Sequence, residues 1–298
     1  NSLQFFTRAM DAAVQERSFL ESALRTAIER SELELHYQPQ VDLRTGRVVG
    51  VEALVRWHHP KLGNVPPSQF IAIAEECGMI NPIGKWVLRT ASHQARAWQQ
   101  GGFGDLRMAV NISARQFAQP GLVKLVASVL NETQLPGHLL DIELTERLIM
   151  RNVEHTIETL NALRVLGVQL SIDDFGTGYS SLAYLKRFPI NVLKIDQSFV
   201  REIPHNANDA AISDAIVSMA HRLGIRVIAE GVETEAQCEF LSRKMCDEIQ
   251  GYLFSPPLPA AHIELLLTGQ RRLPEHLLRT RAYSHTLDLA DSDPGALA

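Results

Sequence analysis

The sequence predicts an α/β fold, a (β/α)8 TIM-like barrel with an antiparallel first strand. Short β-branched apolar segments alternate with helix-like segments along most of the 298 residues, as expected for βαβ units in a parallel sheet. Eight strands are found when both arms of a first hairpin are counted. Acids and amides follow nearly every strand. A barrel opens all of these strand ends onto one face, whereas a doubly wound open sheet, the second candidate, concentrates functional groups at one switch point.

The elements can be assigned in order from the amino terminus. Residues 4–30 carry apolar side chains at helical spacing. A hairpin follows, because alternating apolar residues in ELELHYQPQVDL and RVVGVEALVRW flank the turn signal Thr45-Gly46. Further helices are predicted at residues 68–100, 122–130, 154–166, 182–187, 209–223 and 235–244. Further strands are predicted at residues 107–112, 139–144, 169–172, 192–195, 226–229 and 248–254.

These elements divide the chain into three parts. Residues 1–30 are expected to form an N-terminal linker or signalling helix, residues 31–272 the barrel, and residues 273–298 a C-terminal tail without periodicity. The chain begins Asn1-Ser2 without an initiator Met, so we expect it to be a piece of a longer protein. Any membrane anchor is then expected outside these residues.

Composition excludes several classes of protein. The hydrophobic fraction of 45% supports a full core and argues against disorder. A net charge of −5 gives no general reason to bind a polyanion, so a nucleic-acid polymer is not an expected partner. The 3 cysteines lack metal-ligand spacing and are expected to be free thiols, which fits a cytoplasmic location. No apolar run reaches the length of a transmembrane helix.

Oxygen-donor side chains recur at the predicted strand ends. They are Glu52, Asn111, Glu143, Asp173, Asp174 and Glu230. A donor set without His or Cys suits hard cations, Mg²⁺ or Mn²⁺, rather than Zn²⁺. The five carboxylates carry −5, two divalent cations bring this to −1, and Lys194 brings it to zero. The adjacent aspartates could serve two metals, as in-line phosphodiester hydrolysis by a two-metal site requires.

Other interpretations of these residues are available. Any one of the acids could simply cap a helix after a strand, although this explains the whole set poorly. A barrel lyase or aldolase with a single Mg²⁺, acting on small carbonyl acids, is a second possibility, and the paired Asp173 and Asp174 argue against it. The tandem His58 and His59 beside Pro60 are expected to be solvent-exposed loop residues rather than metal ligands.

Several separate motifs occur in a fixed order along the chain. They are HYQP at 36–39, EALVRW at 52–57, NIS at 111–113, ELTE at 143–146, DDFGTGYSSL at 173–182, KID at 194–196, AEGVE at 229–233 and QGYLFSPP at 250–257. Together these motifs resemble the EAL family, the cyclic di-GMP-specific phosphodiesterases of bacterial signalling. The resemblance spans roughly residues 16–270 and implies a (β/α)8 barrel with a reversed first strand, in agreement with the strand count.

The resemblance also implies a role for each matching position. One metal would be held by Glu52, Asn111, Glu143 and Asp173. Asp173 would bridge to a second metal that Asp174 and Glu230 also bind. Lys194 would hold the attacking water, and Glu146 would fix the loop after DDFG. The implied catalytic residues are Glu52, Lys194, Glu230 and Glu233. The implied substrate contacts are Gln38, Leu54, Arg56, Asp196 and Gln250.

The implied reaction is hydrolysis of cyclic di-GMP to linear 5′-pGpG by in-line attack of a metal-bound hydroxide. Two Mg²⁺ or Mn²⁺ ions per active site would be the cofactors, and Ca²⁺ is expected to inhibit. The expected partners are cyclic di-GMP, a second copy of the chain in a homodimer, and an upstream sensory or GGDEF domain in the full-length protein. The alternative is a cyclic di-GMP receptor without significant turnover, and retention of every metal-ligand position argues against it.

Overall fold

A sheet that closes on itself forms the centre of the molecule. The computed structural model describes residues 8–178 and 182–279. Within these residues the strands are β1 (Leu33–Asp42), β2 (Val48–His59), β3 (Gly63–Val65), β4 (Arg107–Asn111), β5 (Leu140–Thr145), β6 (Gln169–Phe175), β7 (Val192–Ile195), β8 (Arg226–Ala229), β9 (Glu248–Gln250) and β10 (Leu258–Pro259). The closed order is β1–β2–β4–β5–β6–β7–β8–β9 and back to β1.

The first strand runs against its two neighbours in the barrel. β1 pairs antiparallel with both β2 and β9, and every other neighbouring pair around the barrel is parallel. The predicted (β/α)8 barrel with an antiparallel first strand is therefore confirmed. β3 and β10 extend the sheet outside the closed ring, on the edges of β2 and β1.

Helices surround the barrel and connect its parallel strands. They are α1 (Arg8–Ala27), α2 (Pro67–Cys77), α3 (Ile80–Gln100), α4 (Ala114–Phe117), α5 (Leu122–Thr133), α6 (Glu146–Ile149), α7 (Val153–Val165), α8 (Leu182–Leu185), α9 (Gln197–Val200), α10 (Ala207–Arg222), α11 (Glu235–Arg243) and α12 (Ala260–Thr268). Short 3₁₀ turns lie at Gly137–Leu139 and Glu275–Leu277. The strands are buried on both faces, between the helices and the barrel interior, and this explains apolar runs such as residues 227–229 of β8.

Two predicted boundaries were wrong. The helix predicted over residues 68–100 is interrupted because Gly78 adopts a left-handed conformation, with φ 82°, that ends α2 before α3 begins. The strand predicted over residues 248–254 ends at Gln250. The chain turns there, since the backbone N–H groups of Phe254 and Ser255 both donate to the carbonyl of Gly251.

The expectation that His58 and His59 lie in a loop was also wrong. Both belong to β2, which continues past the barrel and pairs there with β1 and β3. His58 is exposed, whereas His59 is buried and packs edge-on against Trp57 and Phe19. Its Nδ1 atom accepts hydrogen bonds from two backbone N–H groups of the turn that follows β2.

Segments at both ends of the described chain pack against the barrel. Leu20 and Leu24 of α1 are buried in the core. Near the other end Leu277 is buried, and the backbone N–H of Leu273 donates to the carbonyl of Gly46 in the first hairpin. Residues 1–7 and 280–298, which include most of the predicted tail, lie outside the described residues. No helix in the described ranges is both long and apolar enough to cross a membrane.

Candidate active site

The carboxyl ends of the parallel strands bring polar side chains to one mouth of the barrel. β2, β4, β5, β6 and β7 contribute Glu52, Asn111, Glu143, Asp173 with Asp174, and Lys194. Glu230 follows β8 directly, and its backbone N–H donates to the carbonyl of Ile195 in β7. Gln38 of β1 and Gln250 of β9 complete the ring. The strand topology therefore places together groups that are up to about 200 residues apart in sequence.

Lys194 lies at the centre of this cluster and has no exposed surface. Its Nζ atom lies 2.7 Å from Glu230 Oε1, 2.9 Å from Glu143 Oε2, 3.4 Å from Asp173 Oδ1 and 3.6 Å from Glu52 Oε2. Burial opposes the charge of this ammonium group, but the surrounding carboxylates hold its pKa well above the usual value. Lys194 is therefore a buried, protonated cation.

One lysine does not neutralise the carboxylates around it. Burial raises the pKa of Glu143 and of Glu230 well above the usual value, and the charges of neighbouring acids add to this effect. Burial and the charge of Asp173 raise the pKa of Asp174 to about 6. Without further cations, some of these groups would take up protons to relieve their repulsion. The site therefore favours additional positive charge.

Glu52 is held in place by amide side chains. Asn111 Nδ2 donates to Glu52 Oε1 at 2.6 Å, and Gln250 Nε2 donates to Glu52 Oε2. Burial raises the pKa of Glu52, but Lys194 and these amides outweigh it, so the net shift is downward. Gln250 also donates to Gln38 Oε1 at 3.1 Å, and its own oxygen accepts from Gln40 at 3.2 Å. Gln40, which the sequence analysis missed, thus orients Gln250.

An irregularity in β6 aims two consecutive aspartates at the same place. Successive side chains of a regular strand point to opposite faces. The register between β6 and β7 shifts after Ile172, and Asp174 adopts a left-handed φ of 54°, a conformation that Asp tolerates better than most residues. As a result one carboxylate oxygen each from Asp173, Asp174 and Glu230 lie within 4.8 Å of one another.

The donor chemistry of the site fits divalent cations. Its ligand atoms are carboxylate and amide oxygens, which suit Mg²⁺ or Mn²⁺. Among the described residues, Oε1 of Glu143 is buried without a hydrogen-bond partner, although buried acceptors normally have one. A cation beside Glu143 would satisfy this oxygen. The cluster of Asp173, Asp174 and Glu230 offers a second position close by.

Glu146, the first residue of α6, fixes the segment that follows Asp174. Its Oε2 atom accepts hydrogen bonds from the backbone N–H of Gly176 at 2.8 Å and of Gly178 at 3.3 Å. A Cβ atom on Gly178 would lie 2.6 Å from Oε1 of Glu146, so any larger residue would displace this carboxylate. The buried carboxylate therefore ties the chain after the two aspartates to α6.

Other residues expected in the site lie at its edge. Asp196 caps α9, since its Oδ1 accepts from the N–H of Ser198 at 2.9 Å. Glu233 is exposed, and its backbone N–H donates to Gln237. Leu54 and Arg56 continue β2 beyond Glu52 and line a cavity of about 320 Å³. Asp196 nevertheless lies close to Asp174, because its charge and a hydrogen bond between the two carboxyl groups help to raise the pKa of Asp174.

A polar pair below the cluster was not predicted. Asp141 is buried, and its two carboxylate oxygens each lie 2.7 Å from Oγ of Ser171. It precedes Glu143 by two positions on β5 and therefore points to the same side of the strand, one layer deeper. That spacing was the signal in the sequence that could have identified it.

Comparison with known proteins agrees with this arrangement. The family model for the EAL domain matches residues 21–257. The bifunctional diguanylate cyclase/cyclic di-GMP phosphodiesterase MucR of Pseudomonas aeruginosa is 48% identical over 264 residues, which cover 88% of this chain and 38% of MucR. The cyclic di-GMP phosphodiesterase NbdA of the same organism is 46% identical over 271 residues, which cover 91% of this chain and 35% of NbdA.

A solved structure described as PaMucR phosphodiesterase, c-di-GMP complex, superimposes with a TM-score of 0.80 at 48% identity. The match covers 82% of this chain and 99% of that one. The chain itself spans 38% of the length of MucR and 35% of that of NbdA. The family model accounts for most of the barrel and for all of the residues gathered around Lys194. The chain belongs to the EAL domain family.

Proposed function

We propose that this barrel hydrolyses one phosphodiester bond of cyclic di-GMP and releases linear 5′-pGpG. The observation that carries the proposal is the buried Lys194 surrounded by carboxylates of four different strands or strand ends. A buried lysine that only stabilises the fold needs one acid as its partner. A site that transfers phosphoryl groups with two divalent metals needs several oxygen ligands close together. The similarity to MucR and NbdA, both named as cyclic di-GMP phosphodiesterases, supports the choice of substrate.

Two Mg²⁺ or Mn²⁺ ions are the proposed cofactors. Glu52, Asn111, Glu143 and Asp173 would hold one ion, and Asp173, Asp174 and Glu230 would hold the other. These ions would supply the activation of a water molecule and the stabilisation of charge on the phosphate oxygens. The unpaired oxygen of Glu143 and the proximity of the second group support these two positions.

The residues of the chain have separate tasks in the proposed reaction. Lys194 presents ammonium N–H groups in the middle of the cluster, where they would orient the attacking water and offset charge that develops on the phosphate. The charge of Lys194, helped by Asn111 and Gln250, keeps the Glu52 carboxylate ionised, and the two amides fix its orientation. Glu146 would hold the segment after Asp174 in the position that metal binding needs.

Substrate contacts are proposed along β1, β2 and β9. Arg56 would pair with a phosphate, because a guanidinium matches phosphate oxygens in geometry. The cavity beside Arg56 and Asn111 has apolar walls, and it would accommodate part of a nucleobase. The remaining substrate contacts would come from Gln38, Leu54, Gln250 and Asp196. Glu233 would assist the reaction from the edge of the barrel mouth.

The proposal is tested by incubating the purified protein with cyclic di-GMP and Mg²⁺ and separating the products by chromatography. We expect pGpG with Mg²⁺ and none with a chelator. Glu52→Gln should abolish the product, whereas Glu158→Gln, a change of the same kind on the exposed surface of α7, should leave it unchanged. Tight binding of cyclic di-GMP without any pGpG would instead indicate a receptor.

The context of the barrel forms part of the same proposal. We propose a cytoplasmic protein in which the chain forms a homodimer and follows a sensory or GGDEF domain. The greater length of MucR and NbdA, and the bifunctional name of MucR, support additional domains. Light scattering on the purified chain tests the dimer, and a monomer at all concentrations would oppose it.

A further inference from the structure

The outer part of the β1–β2 hairpin carries a cluster of nitrogen and oxygen donors. In the antiparallel register Gln38 lies opposite Glu52, His36 opposite Leu54, and Glu34 opposite Arg56. Residues opposite each other, and residues two apart on a strand, share one face. The side chains of Glu34, His36 and His58 therefore line the face that carries Glu52, but beyond the mouth of the barrel.

These three side chains converge on a single oxygen atom. Nε2 of His36 and Nε2 of His58 each lie 2.6 Å from Oε1 of Glu34. One potential ligand atom from each of the three residues lies within 4.8 Å of the others. The side chain of His36 is 20% exposed and those of Glu34 and His58 are 46% and 44% exposed, so ions can reach them from solvent.

The contacts of His58 are unusual for a neutral imidazole. An ionised carboxylate oxygen only accepts hydrogen bonds, so each nitrogen that faces it must carry a proton. On its other side, Nδ1 of His58 contacts Oδ1 of Asn64, which is also an acceptor. A neutral His58 that donates through Nδ1 presents a lone pair on Nε2 to the lone pairs of Glu34. One cation between the three side chains would replace the protons at both histidines.

Asn64 supplies the supporting contact that metal-binding histidines usually have. Such histidines donate their second ring N–H to a carbonyl or carboxylate, and this contact fixes the ring so that the other nitrogen points at the metal. Asn64 belongs to β3, which pairs with β2 and places this residue opposite His58. The side chain of His58 is thus held with Nε2 directed at Glu34.

We propose that Glu34, His36 and His58 form a binding site for a divalent transition-metal ion of the zinc class, separate from the catalytic cluster. Two imidazoles and a carboxylate form a ligand set that zinc sites use, with water in the fourth position. With bonds of about 2.0 Å, tetrahedral ligands are roughly 3.3 Å apart, so the 2.6 Å contacts need to widen by less than about 1 Å.

The donor types distinguish this site from the catalytic one. Nitrogen ligands favour Zn²⁺, Co²⁺ or Ni²⁺, whereas the oxygen ligands around Lys194 suit Mg²⁺ or Mn²⁺. An ion bound here would place positive charge beside Arg56 at the rim of the proposed substrate site. It would also join β1 to the outer end of β2. The inference does not depend on phosphodiesterase activity.

Zinc binding to the whole chain tests this proposal. The protein is titrated with Zn²⁺ by calorimetry in excess Mg²⁺ and without nucleotide. We expect one more zinc equivalent in the parent than in His58→Ala or in His36→Ala. Asn64→Ala should keep that equivalent but weaken its affinity by about 10–100-fold. His93→Ala is the matched control, because His93 is an exposed histidine of α3 that also lies beside a glutamate, Glu132. This variant should bind zinc like the parent.

Melting curves recorded without zinc show whether each variant is folded. His58→Gln, which keeps a polar side chain of similar length, replaces His58→Ala if the alanine variant does not fold. With Co²⁺ in place of Zn²⁺, loss of the visible absorption of a tetrahedral site in the His58 variant, but not in His93→Ala, gives a second readout. Equal zinc equivalents in the parent and in the His36 and His58 variants would overturn the proposal.

Discussion

Nζ of Lys194 lies 2.9 Å from Oε2 of Glu143, and the side chains of both residues have 0% exposure. A buried pair of this kind is costly to break, because the remaining charge cannot reach water. Glu143 is in turn one of several acids that contact the same ammonium group. Lys194 therefore serves the stability of the barrel and its proposed chemistry at once.

Lys194→Met should accordingly affect both properties. In chelator we expect the free energy of unfolding to fall by about 3–5 kcal/mol, the range for removing one partner of a buried ion pair. Turnover of cyclic di-GMP in Mn²⁺ should fall by about 10²–10³-fold, since the water and the phosphate lose a charged hydrogen-bond donor. Urea unfolding and initial rates measure the two effects. Lys186→Met, on an exposed residue, is the control, and equal losses in both variants would refute the assignment.

The pKa of Asp174 predicts how stability changes with pH in the absence of metal. The fold raises this pKa from 3.8 to about 6, so the folded state binds the proton more tightly than the unfolded chain. Its contribution to stability is therefore present below about pH 4 and is lost as the pH rises to about 6. Asp174→Asn should stabilise the chelated protein near neutral pH and change it little near pH 4.

A bound metal ion should reverse the direction in which stability changes with pH through Asp174. A divalent ion competes with the proton for Asp174, so Mn²⁺ should stabilise the parent more at neutral pH than below about pH 6. Asp174→Asn should lose much of this stabilisation. Urea unfolding with and without Mn²⁺ measures both effects, with Asp105→Asn as an exposed control. A Mn²⁺ effect that is independent of pH in the parent would argue against Asp174 as a ligand.

The contact between Glu146 and the glycine segment predicts a matched pair of variants. Glu146→Ala leaves the N–H groups of Gly176 and Gly178 without their acceptor. Gly178→Ala introduces a methyl group 2.6 Å from the same carboxylate. Both should reduce turnover and Mn²⁺ affinity by about 10–100-fold while the barrel stays folded. Gly121→Ala, where an added methyl group has open space, should have no effect. Unchanged kinetics in Glu146→Ala would remove the proposed role.

Calcium should separate binding from turnover. Ca²⁺ prefers 6–8 oxygen ligands at longer distances and tolerates irregular geometry, so it can occupy carboxylate sites that Mg²⁺ also occupies. We expect Ca²⁺ to raise the melting temperature of the parent protein, and we expect a smaller increase in Glu52→Gln. Turnover in Ca²⁺ should be lower than in Mn²⁺ by on the order of tenfold or more, because the two metals must fit one in-line geometry. Equal turnover would contradict that geometric requirement.

The identity and order of the barrel strands were the reliable part of the sequence prediction. A β-branched run followed by an acid marks both an element and the direction of its last side chain, which is why Glu52 and Glu143 could be placed at one barrel mouth. The alternation of side chains along a strand also places Asp141 on the same face as Glu143. Its burial below Glu143, however, depends on how deep the barrel is, which the strand sequence does not show. The reach of Lys194 to four acids depends on strand register, which single strands do not encode.

Backbone conformation and long-range register explain what the sequence did not show. The break at Gly78 requires a left-handed residue inside an otherwise helical pattern, and many helices tolerate glycine without breaking. His59 is buried because β2 continues beyond the barrel and packs against α1. The convergence of His58 on Glu34, 24 positions earlier, follows from the hairpin register and from the contact of His58 with Asn64 of β3.

Anomalous diffraction from crystals soaked in Mn²⁺ would show whether the carboxylates around Lys194 bind two metal ions. We expect two manganese peaks about 3.5–4 Å apart, with Asp173 between them. One peak should lie beside Glu52 and Glu143, and the other beside Asp174 and Glu230. A single peak, or no peak among these carboxylates at saturating Mn²⁺, would contradict the two-metal phosphodiesterase proposed for this barrel.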